Sequence, residues 1–72
     1  MKLFFFGFLL AHADSQKFVE VTGDVMAFSY EEAKHMTLKY AEAARQRSNI
    51  KNLFVIGVQI QECPFVEVSE NV

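Results

Sequence analysis

Cys63, His12 and His35 are the residues of this chain best equipped for nucleophilic or metal chemistry. A thiol acts as a nucleophile when a base stands beside it. Zinc-type sites bring their ligands in close pairs such as C-x-x-C or H-x-x-x-H. Here Cys63 is followed by Pro64 with no base nearby in sequence, and the two histidines lie far from it and from each other. A free cysteine in that setting packs as a small hydrophobe. Glu31 and Glu32 are adjacent carboxylates, but their place at a helix start makes them caps rather than an acid/base pair. His35 follows Glu31 by one turn and is placed for a surface pair with it. His12 closes a strand, where it is solvated or hydrogen-bonds a turn. The expectation is a non-enzyme, with no catalytic residue, no metal ligand and no cofactor.

Nucleic-acid chemistry has one candidate feature. Phe6-Gly7-Phe8 is similar to the aromatic strand of an RNA-recognition sheet. The likeness stops there, since no basic residue adjoins the glycine and no second aromatic strand follows. The net charge of −2 disfavours phosphate. Lys34, Lys39, Arg45, Arg47 and Lys51 gather towards the end of the helix, where a solvated face complementing the dipole accounts for them. Nine acidic against seven basic residues also make no dense anionic stripe.

These residues must be positioned by a single small domain spanning all 72 positions. A chain this short buries only about 60% of its unfolded surface. One cysteine excludes an intrachain disulfide and fits a reducing, cytoplasmic setting. An apolar core or a partner subunit is then the remaining source of stability. The hydrophobic fraction of 51%, with eight phenylalanines, serves either and excludes general disorder.

Leu3 to Ala11 is an almost unbroken apolar run containing four of those phenylalanines. Residues 1–13 have the outline of a secretion signal: Lys2, then the apolar run, then Ala11-His12-Ala13 as a small-x-small cleavage site. Such signals usually occupy about 15–30 residues, and a membrane span needs about 20 apolar ones. The run is read instead as a strand over 1–12, covered on both faces, with a secreted protein as the alternative. Ala13 to Gln16 is a polar turn. Residues 17–28 alternate as a second strand, with a bulge or break near Gly23.

Ser29-Tyr30-Glu31-Glu32 is a capping box. The Ser29 hydroxyl can accept from the N–H of Glu32, and the Glu32 carboxylate can reach back to the N–H of Ser29. Phe28 stands where a hydrophobic staple would. The helix over 29–47 presents Ala33, Thr37, Tyr40, Ala41 and Ala44 at three- and four-residue spacings, flanked by Met36 and Leu38, and closes on Arg45 and Arg47. Strand three covers 53–62, with Phe54, Ile56, Val58 and Ile60 on one face and Gln59 and Gln61 on the other. Pro64 stops it. Residues 63–72 form a short strand or tail.

Strand–strand–helix–strand with a right-handed crossover gives an α+β, ββαβ fold. Strand one, the most apolar, belongs in the middle of a three-stranded antiparallel sheet of order 2-1-3, and one helix covers one face. Gly7 would suit the helix side by allowing close approach. Phe4, Phe6 and Phe8, with Leu53 and Val55, would then face away from the helix as a contiguous apolar patch of the kind that marks interfaces. Phe65, Val66 and Val68 folding back over that face is the alternative. The patch implies a protein partner or a homodimer, while the net charge disfavours nucleic acid and the shortness of the apolar run disfavours a membrane.

The passage Val25-Met26-Ala27-Phe28-Ser29-Tyr30-Glu31-Glu32-Ala33, an extended segment joined to a capped helix and followed by a strand with polar ends, resembles small bacteriophage inhibitor proteins. These include anti-CRISPR proteins and phage inhibitors of bacterial RNA polymerase. The resemblance spans Lys17 to Gln61 in pattern. It implies a non-enzymatic mixed α/β protein that sterically blocks a host complex, such as a CRISPR effector, in the host cytoplasm. It carries no family binding residue onto this chain.

Overall fold

A computed structural model describes Met1–Pro64. The elements follow in the order β1 (Lys2–His12), β2 (Phe18–Ala27), α1 (Tyr30–Ser48) and β3 (Leu53–Glu62). The sheet order is β2-β1-β3, antiparallel at both contacts. The ββαβ fold with the apolar strand at its centre is therefore the observed one. The expected short strand or tail over 63–72, and its possible packing against the sheet, fall mainly outside the described residues.

Local chemistry sets most of the boundaries. The β1–β2 turn closes with His12 N–H donating to the Lys17 carbonyl at 2.8 Å and Gln16 N–H to the His12 carbonyl at 3.0 Å. Gln16 enters the left-handed region at φ 59°. His12 Nδ1 accepts from the Ser15 N–H at 3.2 Å and lies 2.9 Å from the Ser15 hydroxyl. His12 is thus a turn hydrogen-bonder. At the start of α1, Ser29 Oγ accepts from the Glu32 N–H at 3.1 Å. The return half of the box differs from expectation. Glu32 Oε1 accepts from the N–H of Phe28, at 2.7 Å, one residue further out than Ser29. No staple forms: the Phe28 ring is exposed, and the residue it would meet, Ala33, has only a methyl group to offer. Asn49, left-handed at φ 57°, ends the helix by donating its N–H to the Gln46 carbonyl.

Strand β2 runs unbroken through Gly23, which corrects the expected break. Gly23 pairs with Phe6 in regular register. The glycine gives room to that ring rather than bending the chain. The irregularity lies in β3 instead. The β1–β3 pairing passes from Gly7↔Gln59 to Leu9↔Ile56, so Gly57 and Val58 together face Phe8. This is a bulge, and Gly57 sits in it at φ +64°.

The bulge changes which β3 residues share a face. Side chains alternate with period two, and one extra residue inverts the alternation. Leu53 and Val55 before it, and Val58 and Ile60 after it, lie on one side of the sheet. Phe54 and Ile56 before it, and Gln59 and Gln61 after it, lie on the other. The expected grouping of Phe54, Ile56, Val58 and Ile60 on one face is therefore divided at Gly57.

The core is the contact of α1 with the even-numbered side chains of β1. Phe4, Val25, Ala27 and Ala33 form its buried cluster, with Phe6, Met36 and Ile60 packed against it. Ala33, Thr37 and Ala41 are the buried stripe of the helix. Thr37 satisfies its hydroxyl by donating to the Ala33 carbonyl at 2.8 Å. Small residues on the rod leave room for large rings on the sheet. Phe4 is 1% and Phe8 2% exposed, and full burial of such a ring contributes about 1.5–3 kcal/mol.

Candidate functional site: the open face of the sheet

The expected interface is corrected by that core. Phe4, Phe6, Phe8, Leu53 and Val55 do share a face, but it is the helix face. Phe6 stacks on Phe8 with ring centroids 6.1 Å apart and meets Tyr40 of α1 at 6.0 Å. Leu53 and Val55 are half-buried beside His12 and Leu10. Matching volumes decides the side: three phenylalanines fill what Ala33, Thr37 and Ala41 leave empty. Gly7 consequently points to the opposite face.

The helix cap was expected to be structural, and Ser29 and Glu32 act as one. Cys63 is half-buried, with its N–H donating to the Leu3 carbonyl at 2.8 Å. His12 lies at the far end of β1, about 30 Å away at strand rise. The two do not meet. Among the described residues, no cluster of three or more His, Cys, Asp or Glu side chains is placed to hold a metal ion. No helix there is long and apolar enough to cross a membrane.

What remains is the sheet face opposite α1. Its central row is Leu3, Phe5, Gly7, Leu9 and Ala11. The register sets Met26, Asp24, Thr22, Glu20 and Phe18 beside it on β2, and Gln61, Gln59, Ile56 and Phe54 beside it on β3. Two apolar ends result. Phe18 and Phe54 flank Ala11 at one end, with Leu9 and Ile56 adjoining; Leu3, Phe5 and Met26 occupy the other. Phe5, Phe18, Met26, Phe54 and Ile56 are each 46–64% exposed. Between the ends lies a shallow depression. Gly7 forms its floor, Phe5, Glu20, Thr22, Gln59 and Gln61 line it from this face, and Phe6, Val58, Ile60 and Tyr30 at the start of α1 complete its wall.

The electrostatics of this face are one-sided. Glu20 and Asp24 are its charged side chains among the described residues, and both stand on β2. Lys34 and Lys39 belong to α1, and Lys2 falls on the helix side of the sheet, 3.9 Å from Glu62. Such a face can bind by apolar contact at two ends, with hydrogen bonds and negative charge between them.

Sequence reasoning identified the open face and chose the wrong parity of β1 for it. Phe5, Phe18, Phe54 and Ile56 were missed as surface residues. A glycine inside the β3 pattern was the signal that could have located the bulge and regrouped Phe54 and Ile56. No protein-family model, curated protein or solved structure matches this chain.

Proposed function

We propose that this chain is a non-enzymatic protein-binding module that acts sterically, by laying the open face of its sheet on a partner. The observation that carries this reading is the exposed set Phe5, Phe18, Met26, Phe54 and Ile56 on one side of the sheet. Large apolar side chains gathered at two exposed places on one face, with polar groups between them, are the kind of surface that recurs at protein interfaces. The particular form of a phage-type inhibitor blocking a host complex, such as a CRISPR effector, is supported by the resemblance of the Val25–Ala33 passage. A homodimer is the competing occupant. Among the described residues the face carries two carboxylates and no cation, so two copies meeting face to face bring each other no complementary charge.

Photo-crosslinking tests the reading. A crosslinking residue is placed at Phe54, on the open face, or at Lys39, on the outer side of α1, in cells that make the protein. Adducts to a distinct protein from position 54, and none from position 39, are expected. Adducts from position 39 alone would move the interface to the helix and sink the proposal.

A further inference from the structure

The free edge of β2 has its own hydrogen-bonding geometry. In an antiparallel pair, residues alternate between bonding across and pointing their N–H and C=O groups away. Cys63 bonds to Leu3 and Ala13 to Asn52, while His12 bonds to Lys17. Odd positions of β1 therefore bond β3, and even positions bond β2. The residues of β2 opposite the odd positions are Phe18, Glu20, Thr22, Asp24 and Met26. Their backbone groups point to the free edge, and no hydrogen bond from the described residues reaches them. These same residues display their side chains on the open face.

The two sheet edges are not equivalent. Bulges, prolines and charged side chains are the means by which proteins blunt an edge. The β3 edge is bulged at Gly57 and stopped at Pro64. The β2 edge has no proline and no bulge over Phe18–Ala27. Its guards are Glu20 and Asp24. In antiparallel self-pairing, the register that joins all five outward positions would set Glu20 against the other copy's Asp24, twice. Like charges directly opposite are destabilising, whereas opposite charges attract. The edge thus rejects its own copy and suits a strand with a cation at each of those two places. Phe18, Val19 and Met26 are exposed along it, and a neighbouring strand would cover them.

Resting on the binding-module reading, we infer that β2 accepts a fourth, antiparallel strand from its protein partner. That strand carries Lys or Arg opposite Glu20 and Asp24, and apolar residues opposite Phe18 and Met26. Main-chain bonds give the affinity, and the alternate side chains give the choice of partner.

The probe is a capped synthetic peptide, Leu-Val-Arg-Val-Thr-Val-Arg-Val-Leu, titrated into the isotope-labelled full chain with amide exchange as readout. Binding with new protection at the Glu20, Thr22 and Asp24 amides is expected. Replacing both arginines of the peptide by glutamate should weaken binding about tenfold or more. The paired change Glu20→Lys and Asp24→Lys should reverse that preference. Thr22→Pro, at an outward N–H that edge strands can spare, should abolish binding while the circular dichroism stays unchanged; should that variant misfold, the charge reversal still decides. Equal binding of both peptides, or no binding, overturns the inference and leaves the carboxylates as guards alone. Protection at Phe54, Ile56 and Gln59 instead also overturns it, while leaving the open-face reading intact. Edge protection that grows with protein concentration in the absence of peptide would identify a second copy as the occupant and overturn it as well.

Discussion

The ring of Phe6 lies directly over the α-carbon of Gly23. A β-carbon built on Gly23 would stand 2.7 Å from Phe6 Cζ and 3.1 Å from Cε2. The two residues are register partners across β1 and β2, and the ring continues into a stack with Phe8. Gly23→Ala must therefore displace Phe6. Overpacking of this kind typically costs about 1–3 kcal/mol. Urea denaturation of Gly23→Ala should show that loss, and the same change in a Phe6→Ala background should show little of it. Equal losses in both backgrounds would place the effect in the backbone instead.

Gly57 gives the opposite case. Space is ample there, with the nearest neighbour of a built β-carbon, Leu9 Cδ1, at 3.9 Å. The constraint is the backbone at φ +64°. Gly57→Ala should cost about 1–2 kcal/mol through conformation alone, and Gly57→Asn, which tolerates that region, should cost less. Deleting Gly57 is a harsher test. Without the extra residue, Val58 and Ile60 turn to the open face, and Gln59 and Gln61 turn to the core. The deleted chain should lose cooperative unfolding; retention of a sharp transition would show that the bulge is dispensable.

The start of α1 rests on Ser29. Its hydroxyl is the acceptor for the Glu32 N–H, and Ser29→Ala should lower stability by about 1 kcal/mol. Glu32→Ala removes the bond to Phe28 N–H and should also fray the first turn. Helix amides from Tyr30 to Glu32 should exchange faster in both variants, with those near Ala41 unaffected.

One carboxylate on the helix surface titrates away from its usual range. Hydrogen bonding from Arg45 draws the Glu42 pKa down against a smaller opposing effect of desolvation, with Gln46 and the Arg45 charge assisting. The folded value lies below the unfolded one. Any stabilisation is thus present above the unfolded pKa and is lost as pH falls through the folded value. Carbon-detected titration should place the Glu42 midpoint below that of an ordinary glutamate. Arg45→Gln should move it back up. Both groups are solvent-exposed, so the global stability should hardly change.

Much of this architecture is written locally. The capping box at Ser29, the absence of Gly or Pro over Tyr30–Ser48, the left-handed Asn49 and the stop at Pro64 each act within a few residues, and they fix the helix and the end of β3. The apolar character of β1 on both parities is enough to place it between two neighbours, because a strand in that position needs cover on both sides. The same property leaves its orientation open. A run that is apolar at every position has no preferred face, so neither Phe4-Phe6-Phe8 nor Leu3-Phe5-Leu9 is marked as inward. That choice was made across the chain, by the small residues Ala33, Thr37 and Ala41 accepting large rings and by Gly23 yielding to Phe6. The bulge at Gly57 then sent Phe54 and Ile56 to the open face while keeping Val58 and Ile60, both half-buried, on the helix side. Both decisions depend on volumes brought together from distant segments, and pleat alternation turns a shift of one residue into an exchange of faces.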